Sequence, residues 1–137
     1  MTRAYLALGS NVGARAANLA AARVSLAARG AMVTRASAVI ETEPFGVEDQ
    51  PRFLNQVLEV EWSGSARNLL KAAKLVETEV GRQPTFRWGP REIDIDIVLF
   101  GDQVIDEPDL QVPHPGLWQR DFVSGPLREL RPDLVSD

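Results

Sequence analysis

The stretch "RWGPREIDIDIVLFG", residues 87–101, decides the fold. Ile93, Ile95, Ile97, Val98, Leu99 and Phe100 make it apolar enough for a buried strand, yet Asp94 and Asp96 interrupt it. Successive side chains of a strand point to opposite faces. Ile93, Ile95, Ile97 and Leu99 then line one face, with Asp94, Asp96, Val98 and Phe100 on the other. The two carboxylates share a side with Cα atoms roughly 6.5–7 Å apart. They repel one another unless a cation or paired arginines stand between them. Arg82, Arg87 and Arg91 lie immediately before them.

An antiparallel sheet with one wet face would carry exposed aspartates with no further meaning. Aspartate is disfavoured in strands, however, and here it recurs at same-face spacing. Adjacent carboxylates suit Mg²⁺, which completes its octahedron from water and substrate phosphates. Two such ions clamp a polyphosphate during in-line displacement. A local arginine cluster in an acidic chain is either a solvated basic loop, which composition alone favours, or a site for a small anion such as a nucleotide polyphosphate.

Upstream, residues 65–80 read as a helix, since Leu69, Ala73, Val76 and Val80 recur at helical spacing and Gly81 can cap the end. Before it, "FLNQVLEVEW" (53–62) alternates as a strand, with Leu54, Leu58, Val60 and Trp62 on one face and Phe53, Asn55, Val57, Glu59 and Glu61 on the other. The intervening "TEPFGVEDQP" (42–51) is a loop by its Pro44, Gly46 and Pro51. Residues 32–41 read as one strand and residues 3–8 as another. Residues 14–29 form a helix whose Leu19, Ala22 and Leu26 face the core, with Gly30 as its stop. The order β-α-β-β-α-β predicts an α+β ferredoxin-like sandwich, an antiparallel sheet with both helices on one face. The other face is then free for Phe53, Asn55, Asp94 and Asp96. After Gly101, "DQVIDEPDLQV" predicts a short hairpin, and "HPGLWQRDFVSGPLREL" turns and short helical pieces.

Size and composition fit one domain over residues 1–137. The net charge of −4 argues against a general nucleic-acid binder. With no cysteine there is neither a disulfide framework nor a thiolate metal site. The opening "MTRAYLALGSN" is too short in apolar residues for a signal peptide, and no apolar run approaches a membrane span. A cytoplasmic, membrane-free location is the expectation.

"GSNVG" (9–13) lacks the Gly-Lys-Ser/Thr of a P-loop, and no GxGxxG is present. Its glycines predict a tight turn, with Ser10 or Asn11 helping to cap the following helix, or a mobile flap. His114, the single histidine, suits a structural hydrogen bond or a ligand contact better than a general base. No serine or cysteine has the setting of an activated nucleophile. Trp62 reads as core, and Trp88, in the arginine loop, can stack on a planar ligand.

"GPREIDIDIVLFG", preceded by "GR" and "RW" and followed by "VPHPGLWQRDFV" and "PL", closely resembles the 6-hydroxymethyl-7,8-dihydropterin pyrophosphokinases of folate biosynthesis. The resemblance extends through "AYLALGSN", "ETEPFG", "QPRFLNQV" and "LRELRPDL". It implies transfer of the terminal pyrophosphoryl unit of ATP to a pterin hydroxymethyl oxygen, releasing AMP, with ATP as co-substrate and two Mg²⁺ ions. Carried over by position, Asp94 and Asp96 hold magnesium, while Arg82 and Arg91 are catalytic-loop arginines. Thr42, Pro44, Phe45, Phe53, Asn55 and Phe122 form the pterin pocket and Trp88 closes over it. Glu77, Ile97, His114 and Arg120 contact the nucleotide. Pro84, Lys74 and Pro115 depart from the family's more usual arginine, glutamine and tyrosine. The implied partners are the two small-molecule substrates, with a monomer expected. The rivals are a ferredoxin-like module that senses a nucleotide without turning it over, and a metal-dependent phosphohydrolase.

Overall fold

The computed structural model describes residues 1–44, 49–82, 90–117 and 119–134. Phe45, Pro84, Arg87, Trp88 and Trp118 lie outside the described residues. The elements are β1 (Thr2–Ser10), α1 (Arg15–Ala28), β2 (Met32–Ala36), β3 (Ile40–Thr42), β4 (Phe53–Trp62), α2 (Ala66–Val80), β5 (Asp94–Phe100), β6 (Ile105–Glu107), β7 (Leu110–Val112) and α3 (Asp121–Leu130).

The main sheet runs β2-β4-β1-β5 with antiparallel neighbours, and β3 pairs with the start of β4. This is the antiparallel α+β arrangement the element order predicts. Helices α1 and α2 cover one face, burying Leu19, Ala22 and Leu26 from the first and Leu69, Ala73 and Val76 from the second. They meet Leu6, Leu8, Leu58, Val60 and Ile95 from the strands. Ser65 caps α2 by accepting the Asn68 N–H at 3.1 Å, and Gly81 ends it in the left-handed region at φ 114°. A glycine adopts that conformation without the steric cost of a Cβ.

The single strand expected over 32–41 is two. Ala36 pairs with Leu58 and Ile40 with Asn55, so three residues of this edge oppose two of β4. Ser37 fills the break: its hydroxyl accepts the Val57 N–H at 2.9 Å, and its carbonyl accepts from Gln56 Nε2 at 2.8 Å. A small polar side chain there replaces ladder bonds that an extra residue would otherwise leave open.

β5 also departs from strict alternation. Tyr5 pairs with Leu99 and Leu6 with Ile97, leaving Val98 as an extra residue. One inserted residue exchanges the faces of everything beyond it. Leu99 therefore packs on the face carrying Tyr5, and Phe100 enters the helix-side core, the reverse of the simple reading. Asp94 and Asp96 lie before the bulge and keep their expected phase.

The second face is not free along its whole length. α3 roofs one end, with Val123, Leu127 and Leu130 packed on Tyr5, Val57 and Val98. The sequence suggested only turns and short helical pieces there. The ten-residue helix absorbs Pro126 internally, at the loss of one backbone hydrogen bond to the carbonyl of Phe122. Burial of the 123/127/130 stripe outweighs that loss. The β6–β7 hairpin forms as expected and seats Leu110 and Val112 in the helix-side core. Among the described residues no helix is long and apolar enough to cross a membrane.

Candidate active site

The site begins with the register of three strands. On β1, Ala7 lies opposite Asp96 and Gly9 opposite Asp94, while on its other side Gly9 faces Asn55. Asn55, Gly9 and Asp94 thus stand in one row across the sheet, on the face that α3 covers further along. Gly9 is a close-approach position: a Cβ there would sit 3.1 Å from Asn55 Oδ1 and 3.4 Å from Phe53 Cδ1.

Above this floor opens a cleft. Thr42 from β3 and Phe53 and Asn55 from β4 form one wall, and Arg120 and Phe122 at the start of α3 form another. Arg91, Asp94 and Asp96 close the polar end. Asn55 Nδ2 donates to Thr42 Oγ1 at 2.5 Å, which fixes the amide so that its oxygen lies beside Gly9. The slot is mainly apolar with a few fixed polar groups, the usual form of a small-molecule pocket.

Asp94 receives both arginines, Arg82 Nη1 at 3.2 Å on Oδ1 and Arg91 Nη1 at 3.1 Å on Oδ2. Arg82 Nη1 is also 3.0 Å from Glu77. Asp96 has no such ion pair among the described residues. Burial, then the charges of Asp94 and Glu77, push its carboxyl up to about 7. Among the described residues no group of three or more His, Cys, Asp or Glu clusters as a metal site. Two crowded carboxylates alone fit a hard cation that takes one or two protein carboxylates and draws its other ligands from water and phosphate, as Mg²⁺ does.

Behind the aspartates lies a second cleft, between α2 and the β6–β7 hairpin, lined by Lys74, Ile97, Asp109, Gln111, His114 and Pro115. Asp96 lines both clefts. His114 Nδ1 accepts the Gly116 N–H at 3.0 Å, and burial lowers its pKa, so the neutral ring carries its proton on Nε2. That nitrogen is a donor, which disfavours a general base.

The structure therefore gathers Thr42, Phe53, Asn55, Arg91, Asp94, Asp96 and Phe122 at one cleft, and Ile97 and His114 at the other. Arg120, expected on the nucleotide side, lines the aromatic cleft, although its charge acts on both His114 and Asp96. Glu77 is 4% exposed; its carboxylate accepts the Ile95 N–H at 2.8 Å and pairs with Arg82, tying α2 to β5. Burial raises its pKa, which the Ile95 N–H partly offsets. Pro44 is buried at the end of β3. Phe45 and Trp88 lie outside the described residues.

"GSNVG" is misread as a capping turn. α1 starts after Ala14 with no side-chain cap, Ser10 belongs to β1, and Asn18 reaches back from the helix to Val12 O at 3.0 Å. Gly9 lines the aromatic cleft, and Asn11 is buried beside it; the sequence reading gave both only a turn or capping role.

Comparison with known proteins agrees with this geometry. The model of a family described as 7,8-dihydro-6-hydroxymethylpterin-pyrophosphokinase matches residues 5–132. The chain is similar to the 2-amino-4-hydroxy-6-hydroxymethyldihydropteridine pyrophosphokinase of Aquifex aeolicus, 45% identical over 135 residues, covering 98% of this chain and 84% of that one. The enzyme of the same name from Bacillus subtilis is 44% identical, covering 93% of this chain and 77% of its own. That of Methylorubrum extorquens is 46% identical, with 98% and 86% covered. A match over nearly the whole chain, together with two clefts meeting at a carboxylate pair, places this protein in the 7,8-dihydro-6-hydroxymethylpterin-pyrophosphokinase family.

Proposed function

We propose that the aromatic cleft binds the reduced pterin, the second cleft binds ATP, and the pyrophosphoryl group passes between them over Asp94 and Asp96. The hydroxymethyl oxygen attacks the β-phosphorus of ATP. The bond from that phosphorus to the α–β bridging oxygen breaks, AMP leaves with that oxygen, and the hydroxyl proton passes to solvent. The products are the pterin diphosphate of folate biosynthesis and AMP. Asp96 carries this reading, because it lines both clefts and so marks the point where donor and acceptor meet.

Phe53 and Phe122 line one slot, which supports their sandwiching the pterin ring; each ring contact contributes about 0.5–1.5 kcal/mol beyond area burial. Asn55 Oδ1, oriented by Thr42, accepts from the amino edge of the ring. The His114 Nε2 donor and Ile97 face the nucleotide, with Arg120 between the two substrates. Asp94 and Asp96 would hold magnesium, two ions being the full complement, which neutralises charge on the polyphosphate. Arg82 and Arg91 stand beside Asp94, within reach of a group bound there. Phosphoryl transfer needs positioning and charge neutralisation more than a protein nucleophile, in keeping with the lack of an activated serine or cysteine.

The test is incubation with Mg²⁺, ATP and the reduced pterin alcohol, followed by AMP analysis. AMP in equal amount to the pterin diphosphate supports the reading. ATP turnover without pterin would make the protein a phosphohydrolase, and tight ATP binding without turnover would make it a sensor.

A further inference from the structure

Asn11 is 1% exposed at the end of β1, yet its hydrogen bonds run to segments 40 and 80 residues away. Its Oδ1 accepts the Arg91 N–H at 2.8 Å, and its own N–H donates to the Arg91 carbonyl at 3.0 Å. Those two bonds close a ring that fixes the backbone of residue 91. Its Nδ2 donates to Gln50 Oε1 at 2.9 Å and to the Pro51 carbonyl at 3.0 Å. Both amide hydrogens and the amide oxygen are thus engaged. One side chain joins the floor strand, the end of the arginine segment and the end of the 42–51 loop.

Arg91 needs such an anchor. Its Nε is buried with no hydrogen-bond partner among the described residues, and Nη1 meets Asp94 at 3.1 Å. The guanidinium is held from one end, so its aim depends on where the backbone places Cα. We propose that Asn11 is a positioning residue for the transfer step, which aims Arg91 at the transferring group and holds Gln50 and Pro51, which lead into Phe53 of the aromatic cleft, in register with it. The proposal rests on the reading of Arg91 as the arginine acting on that group.

The substitutions separate the two ties. Asn11→Asp keeps an oxygen for the Arg91 N–H but sets a carboxylate oxygen against the Pro51 carbonyl. Asn11→Ala removes both ties. Displacing a reacting group by an ångström costs on the order of 10²-fold in rate. Single-turnover rates of Asn11→Ala at saturating substrates should therefore fall about 10–100-fold, with ATP affinity nearly unchanged. Asn11→Asp should stay within a few-fold of the parent rate while losing pterin affinity. Because Asn11 acts through Arg91, the double variant Asn11→Ala/Arg91→Ala should be no slower than Arg91→Ala alone; contacting residues are non-additive, whereas independent ones add. A loop-folding role alone gives multiplying effects, which overturns the proposal, as does parent-like turnover by Asn11→Ala. If Asn11→Ala does not fold, the Asp variant decides: a rate loss equal to that of Arg91→Ala overturns it. Parent-like turnover by Arg91→Ala overturns the underlying reading of Arg91, and this proposal with it.

Discussion

Arg82 and Arg91 share one carboxylate, each contributing an Nη1, at 3.2 Å to Oδ1 and 3.1 Å to Oδ2 of Asp94. Two cations on one aspartate leave Asp96, its neighbour on the same strand face, without an ion-pair partner among the described residues. The unequal treatment of the two aspartates gives them different expected responses to substitution.

Asp94→Asn and Asp96→Asn should each nearly abolish turnover, but they act on the substrate-free fold in different ways. Removing the Asp96 charge relieves a buried, crowded carboxylate and should leave the metal-free protein as stable as the parent or more so. Removing Asp94 frees two arginines while unloading Asp96, and the opposed effects should leave stability within about 1 kcal/mol. Thermal unfolding in chelator and AMP release with Mg²⁺ check the two halves. Normal activity of either variant at limiting Mg²⁺ ends the metal assignment.

Arg91→Ala should lower the chemical step far more than substrate affinity, and Arg82→Ala equally or less. An arginine on developing phosphoryl charge contributes roughly 10³–10⁵ in rate. Single-turnover measurements beside equilibrium titrations separate the two quantities. Full turnover at saturating ATP with only weaker binding would show that the arginines merely grip the nucleotide.

The aromatic cleft should be sensitive at its floor. Asn55→Leu leaves a ligand donor unpaired, at a cost of about 1–3 kcal/mol in pterin binding. Gly9→Ala adds a methyl 3.1 Å from Asn55 Oδ1 and 3.4 Å from the Phe53 ring, so it should also weaken pterin with little effect on ATP. Fluorescence titration with each substrate checks both. Lost ATP binding with intact pterin binding would reverse the assignment of the clefts.

Acid should loosen the roofed end of the sheet through Glu59. Glu59, 3% exposed, accepts from Tyr5 Oη at 2.6 Å, Thr34 Oγ1 at 2.9 Å and Arg35 Nη2 at 2.9 Å. The Arg35 hydrogen bond, followed by those of Tyr5 and Thr34, outweighs burial and brings its pKa from 4.5 down to about 2. A depressed carboxyl pKa stabilises the fold fully above the unfolded value and is lost as pH falls through the folded one. Glu59→Gln should cost about 1–3 kcal/mol at pH 7, and its gap from the parent should shrink between pH 4.5 and 2. A gap constant over that window in denaturant titrations would remove Glu59 from acid stability.

Period-two and period-3.6 patterns made the sheet and both sandwich helices legible, because each of those elements buries one clean face. Asp94 and Asp96 were legible as candidates because polar groups intrude there on strand alternation, whereas alternation gave Phe53 and Asn55 only their face and the family resemblance gave them a pocket. The pattern failed where one residue was inserted, at Val98 and at Ser37, since a bulge leaves no mark on composition. It failed again at α3, whose Gly125 and Pro126 signal a turn while tertiary burial enforces a helix. Asn11 was named but misassigned, because its partners are distant in sequence and no local spacing encodes them.

Along β1, β4 and β5 the same face changes character within two rungs, from Tyr5 beside Glu59, through Ala7 beside Val57, to Gly9 beside Asn55. α3 packs Val123 and Leu127 with Tyr5 and Val57 of the first two rungs, and Phe122 lines the cleft with Gly9 and Asn55 of the last. On the proposed binding mode, a flat aromatic ring between Phe53 and Phe122 would continue that roof in line with its side chains. The substrate would then serve as the last plank of the hydrophobic core, and ligand-linked stabilisation should appear most strongly in the strands beneath.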